Sequence, residues 1–143
     1  MDILRRNTDY ALRIMVNLAS RFNGEFFSAR QLAKDGNLPY QLGCKILQKL
    51  HKADLVKSDM GPKGGFALSR EPSKITLMEI IAALQGGVRL NKCLLGGKGC
   101  EFEPECEIHT KLTCLQLYID GYLGGITLQE ILGSQTKITV GNR

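Results

Sequence analysis

The stretch SARQLAKDGNLPYQLGCKILQKLHKADLVKSDMGPKGGFAL, residues 28–68, decides the fold. It opens on Ser28-Ala29-Arg30-Gln31, a capping box: the serine oxygen accepts from the backbone N–H three residues on, and the glutamine reaches back. A short helix over 28–35 is expected, stopped by Asp35-Gly36. Leu38-Pro39 opens a second helix, proline being suited to a first turn. Along it Leu42, Ile46, Leu47 and Leu50 line one apolar face, while Tyr40, Gln41, Lys45, Lys49 and Lys52 point outward. Two short helices about a glycine-containing turn form a helix-turn-helix pattern. Leu55-Val56-Lys57-Ser58 and Phe66-Ala67-Leu68 then read as short strands. They flank Gly61-Pro62-Lys63-Gly64-Gly65, whose residues either fix φ or free it. A hairpin directly after a helix-turn-helix is a wing.

Upstream, Ala11, Ile14, Met15, Leu18 and Ala19 recur with helical spacing over 8–21, with Asn7 or Thr8 available as a cap. Downstream, Thr76-Leu77-Met78-Glu79 is a second capping box and opens a helix over 77–85, which Gly86-Gly87 stops. A longer helix is expected from 105 to 120. Its Ile108, Leu112, Leu115, Ile119 and Tyr122 keep a seven-residue repeat, and Gly121, Gly124 and Gly125 should end it. Separated from the N-terminal core by a loop, that stripe reads as a dimer seam. Thr127-Leu128-Gln129-Glu130 caps a last short helix. The reading is a mainly α fold: a winged helix-turn-helix DNA-binding domain with a long C-terminal dimerisation helix. Its parts are the DNA-binding domain over 1–86, a cysteine-rich loop over 87–104, the dimerisation helix and final short helix over 105–133, and a frayed tail over 134–143.

Composition agrees with a folded domain. The chain has 143 residues, 43% of them hydrophobic and 23% charged, enough for a core and unlike a disordered segment. No apolar run approaches a membrane span of about 18 residues, and the N-terminus lacks the apolar core of a secretory signal, so a cytoplasmic protein without a membrane partner is expected. The net charge of +5 is uneven. Residues 1–75 carry 13 Lys and Arg against 7 Asp and Glu, whereas residues 76–143 carry 6 against 7. The basic half suits a polyanion such as DNA.

Five cysteines are present, and three of them, Cys93, Cys100 and Cys106, lie within fourteen residues, followed by His109. Six, five and two residues separate the four in turn, with Gly96, Gly97 and Gly99 in the first interval. In a reducing compartment such a set points to metal or redox chemistry rather than a disulfide framework. Thiolates hold iron–sulfur clusters, and three cysteines with a histidine are also a zinc donor set. His109 lies one helical turn beyond Cys106, so both can point the same way. Cys44 reads as packing in the second helix of the pair, and Cys114 as a residue of the long helix. No Cys-x-x-Cys pair, nucleotide loop or nucleophile with an adjacent base is evident, so an enzyme is not expected.

Over about residues 1–133 the chain resembles the Rrf-type regulators, the winged-helix family containing the iron–sulfur regulator IscR and the nitric-oxide sensor NsrR. The resemblance rests on Thr8-Asp9-Tyr10-Ala11-Leu12-Arg13, Lys45-Ile46-Leu47-Gln48-Lys49-Leu50, Gly61-Pro62-Lys63-Gly64-Gly65-Phe66 and Ile126-Thr127-Leu128. It implies a homodimeric transcriptional regulator on a near-palindromic double-stranded DNA operator, with one iron–sulfur cluster per subunit controlling affinity. Cys93, Cys100 and Cys106 would hold the iron. The fourth ligand would be His109, as in the 2Fe–2S site of IscR, or Asp9 from the partner subunit, as in the 4Fe–4S site of NsrR; the contiguous His109, and hence 2Fe–2S, is slightly preferred. Tyr40, Gln41 and Lys45 would meet the major groove. Ser28, Arg30, Lys57, Ser58 and Lys63 would mainly hold phosphates or the adjacent minor groove. The chain departs from the family in three places. The first cysteine interval is one residue longer. Met60 stands where the wing commonly has arginine. Leu42 and Gly43 replace an aromatic and a leucine, and Gly43 should weaken its helix by about 1 kcal/mol relative to alanine. The alternative is a cluster-free or zinc-containing regulator of the same fold acting through a partner protein. Operator sequence, target genes, direction of control and physiological signal are not encoded legibly.

Overall fold

The computed structural model describes residues 2–94, 102 and 105–133. Six helices and one hairpin follow in the order α1 (Arg6–Ser20), α2 (Ala29–Asp35), α3 (Tyr40–Lys52), β1 (Val56–Asp59), β2 (Gly65–Leu68), α4 (Leu77–Gln85), α5 (Glu107–Gly125) and α6 (Leu128–Gly133). Single 3-10 turns occupy Pro72–Lys74 and Lys92–Leu94. The mainly α winged-helix architecture expected from the sequence is present, with β1 and β2 antiparallel and Val56 opposite Leu68.

The apolar face of α1 is as the periodicity requires: Ala11, Ile14, Met15, Leu18 and Ala19 are all buried. They meet Leu32 and Ala33 of α2, Ile46, Leu47 and Leu50 of α3, Leu55 and Leu68 beside and within the wing, and Ile80 and Leu84 of α4. Burying each large aliphatic side chain contributes about 1.5–3 kcal/mol, so this shared cluster dominates over any single cap or surface ion pair. Leu42, expected in the buried face, is only partly covered; buried Gly43 takes its place beside Ala33. A Cβ on Gly43 would sit 3.0 Å from the Ala33 Cβ. The helix propensity lost at this glycine therefore accompanies a close α2–α3 approach.

Capping differs in detail from the sequence reading. Ser28 accepts from the Gln31 N–H at 3.1 Å, but the Gln31 side chain turns forward to Asp35 at 2.6 Å rather than back. Thr76 and Glu79 form the complete reciprocal box, as do Thr127 and Glu130. Burial raises the Glu79 carboxyl's pKa, yet the Thr76 N–H and the Arg70 guanidinium together outweigh it and hold the group below its usual value. The stability this contributes is present at neutral pH and is lost as pH falls through the lowered pKa. Neither Asn7 nor Thr8 caps α1, whose N-cap is Arg5. Thr8 is instead buried, and its hydroxyl donates to Gln85 Oε1 at 2.7 Å.

The long helix runs through Gly121 and ends at Gly125, five residues beyond expectation, before the chain returns to the core. Leu77 N–H donates to Ile126 O and Leu128 N–H to Ile75 O, while Leu128 is fully buried. The final helix α6 thus packs on α1 within the N-terminal core. Farther back, Gln116 is the buried polar side chain of α5. Its Nε2 donates to Val88 O at 2.8 Å and to Asp120, and its Oε1 accepts from Leu90 N–H at 3.0 Å. Gln85, at the end of α4, accepts from Arg5 N–H and donates to Ile3 O and Gly87 O. Two amides therefore fix residues 87–90 between α1, α4 and α5.

At Gly65, φ is +145° and a Cβ would collide with the Phe27 carbonyl, where Phe27 and Phe66 exchange backbone hydrogen bonds. Gly65→Ala should lower unfolding stability by about 2 kcal/mol or more in urea titration. Gln116→Ala strands the Leu90 N–H, while the Val88 carbonyl keeps the Arg89 guanidinium as donor. A loss of about 2 kcal/mol is expected by the same titration; an unchanged midpoint would show that the amide is dispensable.

Candidate nucleic-acid interface and metal centre

The side chains expected on DNA are all exposed, on α2, α3 and the wing. Ser28 is exposed at the N-terminus of α2, its oxygen committed to the Gln31 N–H. Tyr40, Gln41 and Lys45 are exposed on the first half of α3. Lys63 is exposed in the wing turn, which the Gly64 N–H to Gly61 O bond closes. Lys57 projects from β1 with its Nζ 5.6 Å from the Phe26 ring centroid. Ser58 Oγ stands 3.4 Å from His51 Nε2, joining the last turn of α3 to the wing. Met60, 95% exposed, occupies the wing tip and offers no charge there.

Arg30 is not simply extended into solvent. Its guanidinium lies over the Tyr40 ring, 4.7 Å from the centroid, and Cys44, one turn along, is the main influence raising the phenol's pKa. Sequence reasoning missed the Arg30–Tyr40 stack, and it missed His51 and Phe26, whose contacts depend on where the wing folds back.

Of the cysteine set, Cys93 and Cys106 are half-buried free thiols, and Cys100 lies outside the described residues. Cys93 sits in the Lys92–Leu94 turn, which packs against α5. Cys106 is the N-cap of that same helix, and its Sγ accepts the His109 backbone N–H at 3.4 Å. The structure therefore brings Cys106 and His109 together in one helical turn. Asp9 is elsewhere, in the first turn of α1, ion-paired to Arg13 at 2.9 Å. Among the described residues no three His, Cys, Asp or Glu side chains gather into a metal-ion site. Cys44 and Cys114 are free thiols as well, the latter exposed on α5. The stripe of α5 is largely uncovered: Ile108 is 70% and Tyr122 62% exposed, with Leu115 also open. No helix of the described residues is long and apolar enough to cross a membrane.

Comparison with known proteins agrees with the fold. The Rrf2 family, described as iron-dependent transcriptional regulators, matches residues 4–134. The regulator NsrR of Bacillus licheniformis is 29% identical over 137 residues, covering 94% of this chain and 95% of that protein. The regulator IscR of Serratia proteamaculans is 33% identical over 99 residues, covering 69% of this chain but 60% of that longer protein. The solved structure of CymR, the global cysteine regulator of B. subtilis, superposes with a TM-score of 0.78 at 25% identity, covering 95% of this chain and all of that one. With the family matched across almost its whole length and the fold shared, the chain belongs to the Rrf2 family of transcriptional regulators.

Proposed function

We propose that this regulator is a homodimer whose operator affinity is set by an iron–sulfur cluster held by Cys93, Cys100 and Cys106. The observation that carries the reading is the attachment of both described cysteines to one helix: Cys106 caps α5, and the turn bearing Cys93 packs against it. Free, half-buried sulfur donors suit soft iron, and the His109 N–H on Cys106 Sγ is the kind of donor that supports a charged thiolate ligand. The family description as iron-dependent regulators supports the same choice. His109 is the contiguous fourth ligand, which favours 2Fe–2S; Asp9 of a second copy is the rival and would favour 4Fe–4S, at the cost of its Arg13 pairing.

When bound, such a cluster would supply a centre whose charge and ligation respond to oxidant, nitric oxide or iron supply. The protein's part is mechanical. Cys106 fixes the first turn of α5. Gln116 and the Arg89–Asp120 ion pair, 3.8 Å long, fix that helix to residues 88–90, and Gln85 carries the tie to Arg5 and Thr8 of the α1 region. The open apolar stripe of α5 is where a second copy would pack. The relation of the two α3 helices then sets the half-site spacing a duplex must match. On this reading residues 1–86 read DNA, 87–104 hold the cofactor and α5 joins the protomers, in the cytoplasm.

A second reading has a specific support, the likeness to CymR over nearly the full chain. In it the same fold works without iron, with free or zinc-bound thiols and a partner protein.

Colour separates the two. Anaerobically purified protein should be brown and contain acid-labile sulfide, and Cys93→Ala or Cys106→Ala should bleach it. Colourless protein holding zinc would contradict the cluster. On the DNA side, Lys63→Ala should weaken binding about equally for all sequences and reduce the slope of log affinity against log salt by about 1. An unchanged slope in salt-titrated gel shifts would remove Lys63 from the phosphate contacts.

A further inference from the structure

The segment before α1 and the turn after α4 together line a cleft of about 570 Å³. Arg5 and Arg89 are its cations, Asp2 is its carboxylate, and Ile3 and Leu90 supply apolar surface. We propose that this cleft binds a small dianionic metabolite, a dicarboxylate or a phosphate monoester, through the Arg5 and Arg89 guanidiniums, and that its occupancy alters operator affinity. The binding is independent of any cluster; only its effect on DNA rests on the reading of the chain as an operator-binding regulator.

The walls of the cleft are fixed by one side chain. Gln85 Oε1 accepts from the Arg5 N–H at 2.9 Å and from the Thr8 hydroxyl at 2.7 Å, while its Nε2 donates to Ile3 O and Gly87 O. Both donors and both acceptor positions of that amide are in use, so it holds the two walls together and leaves recognition to the charged side chains. Arg5 gives the fold its backbone N–H, and its exposed side chain takes part in no ion pair among the described residues. Arg89 uses Nη1 on Val88 O at 3.0 Å and, loosely, on Asp120 at 3.8 Å. A guanidinium carries five N–H donors in a planar fork that matches carboxylate and phosphate oxygens, so donors remain for a ligand.

Charge selects the occupant. Two guanidiniums against one carboxylate leave the lining net cationic, so an anion is preferred, and a second negative charge lets one ligand engage both arginines. Ile3 and Leu90 suit a short carbon skeleton between the charged ends. No residue of α2, α3 or the wing lines the cleft, so it stands apart from the expected DNA contacts, and none of α5 lines it either. An occupant would tie the start of α1 to Arg89, and through the Arg89–Asp120 pair to α5. Occupancy and operator binding are then linked reciprocally.

The test titrates the full chain calorimetrically with succinate, inorganic phosphate and acetate at fixed ionic strength. Succinate or phosphate should bind once per chain and about fivefold or more tighter than acetate, the upper end of what one exposed ion pair supplies. The tighter of the two identifies the head group as carboxylate or phosphate. Arg5→Gln and Arg89→Gln should each remove that advantage, and Asp2→Asn, which deletes a like charge, should enlarge it. Lys34→Gln, the loss of an exposed cation elsewhere, should leave it unchanged. Should Arg89→Gln unfold early through its lost contacts with Val88 and Asp120, Arg5→Gln carries the test, because that side chain makes no ion pair in the fold. Gel shifts on the duplex enriched from a randomised library then compare operator affinity with and without saturating succinate or phosphate. The affinity should change by about fivefold or more in wild type and stay fixed in Arg5→Gln. Dianions that bind no tighter than acetate, or that ignore both arginine substitutions, overturn the site. Bound dianion with unaltered operator affinity overturns its regulatory role. Iron-depleted protein should bind the same dianion equally well, which separates this cleft from the cysteine segment; binding lost together with the iron overturns the proposal.

Discussion

The long helix α5 is held at two places along its length, and the rest of the molecule is arranged by that double attachment. At its end the backbone exchange between Ile75 and Leu128, and between Leu77 and Ile126, returns the chain to the core. In its middle Gln116 binds the segment 88–90 through two hydrogen bonds, to Val88 and Leu90. A buried amide left without such partners would cost about 1–3 kcal/mol for each stranded group, so the clamp is strongly favoured over an open arrangement. The first part of the helix carries Cys106 as its cap, with Ile108 open beside it.

The DNA-reading face combines two kinds of contact with different consequences. On the proposed reading, Lys45, Lys57 and Lys63 would supply charge, which governs affinity for any duplex and fades with salt. Tyr40 and Gln41, at the start of α3, would supply contacts that change preference among sequences. Met60 at the wing tip offers no charge, so on that reading the hairpin would act through Lys57 and Lys63 and base discrimination would fall more heavily on α3.

Much of the architecture could be read from local pattern. Helix α4 begins at the Thr76 capping box because its two hydrogen bonds involve residues only three apart. The core face of α1 follows from a period of 3.6 residues. Reading failed where a residue answers to something distant. Thr8 suits a cap, but its hydroxyl finds Gln85, 77 positions away. Gln31 prefers the nearby Asp35 to the backbone behind it. Gly121 does not stop α5, since exposed glycine costs a helix only about 1 kcal/mol against the neighbouring turns. Gln116 looked like any polar helix residue, because its partners lie 26 and 28 positions away. At the candidate centre, spacing revealed the Cys106–His109 turn, whereas Cys100 falls outside the described residues and Asp9 pairs within its own helix.

The central claim is that the occupant of the cysteine segment changes how tightly the dimer grips its operator. The most direct measurement is the operator affinity of one anaerobic preparation at fixed salt, before and after a chelator has removed its iron. Coupling between two sites of this kind is about 1–3 kcal/mol, so the affinity should change by about 5- to 150-fold. Equal affinity in the two states, with iron loss verified on the same sample, would contradict it.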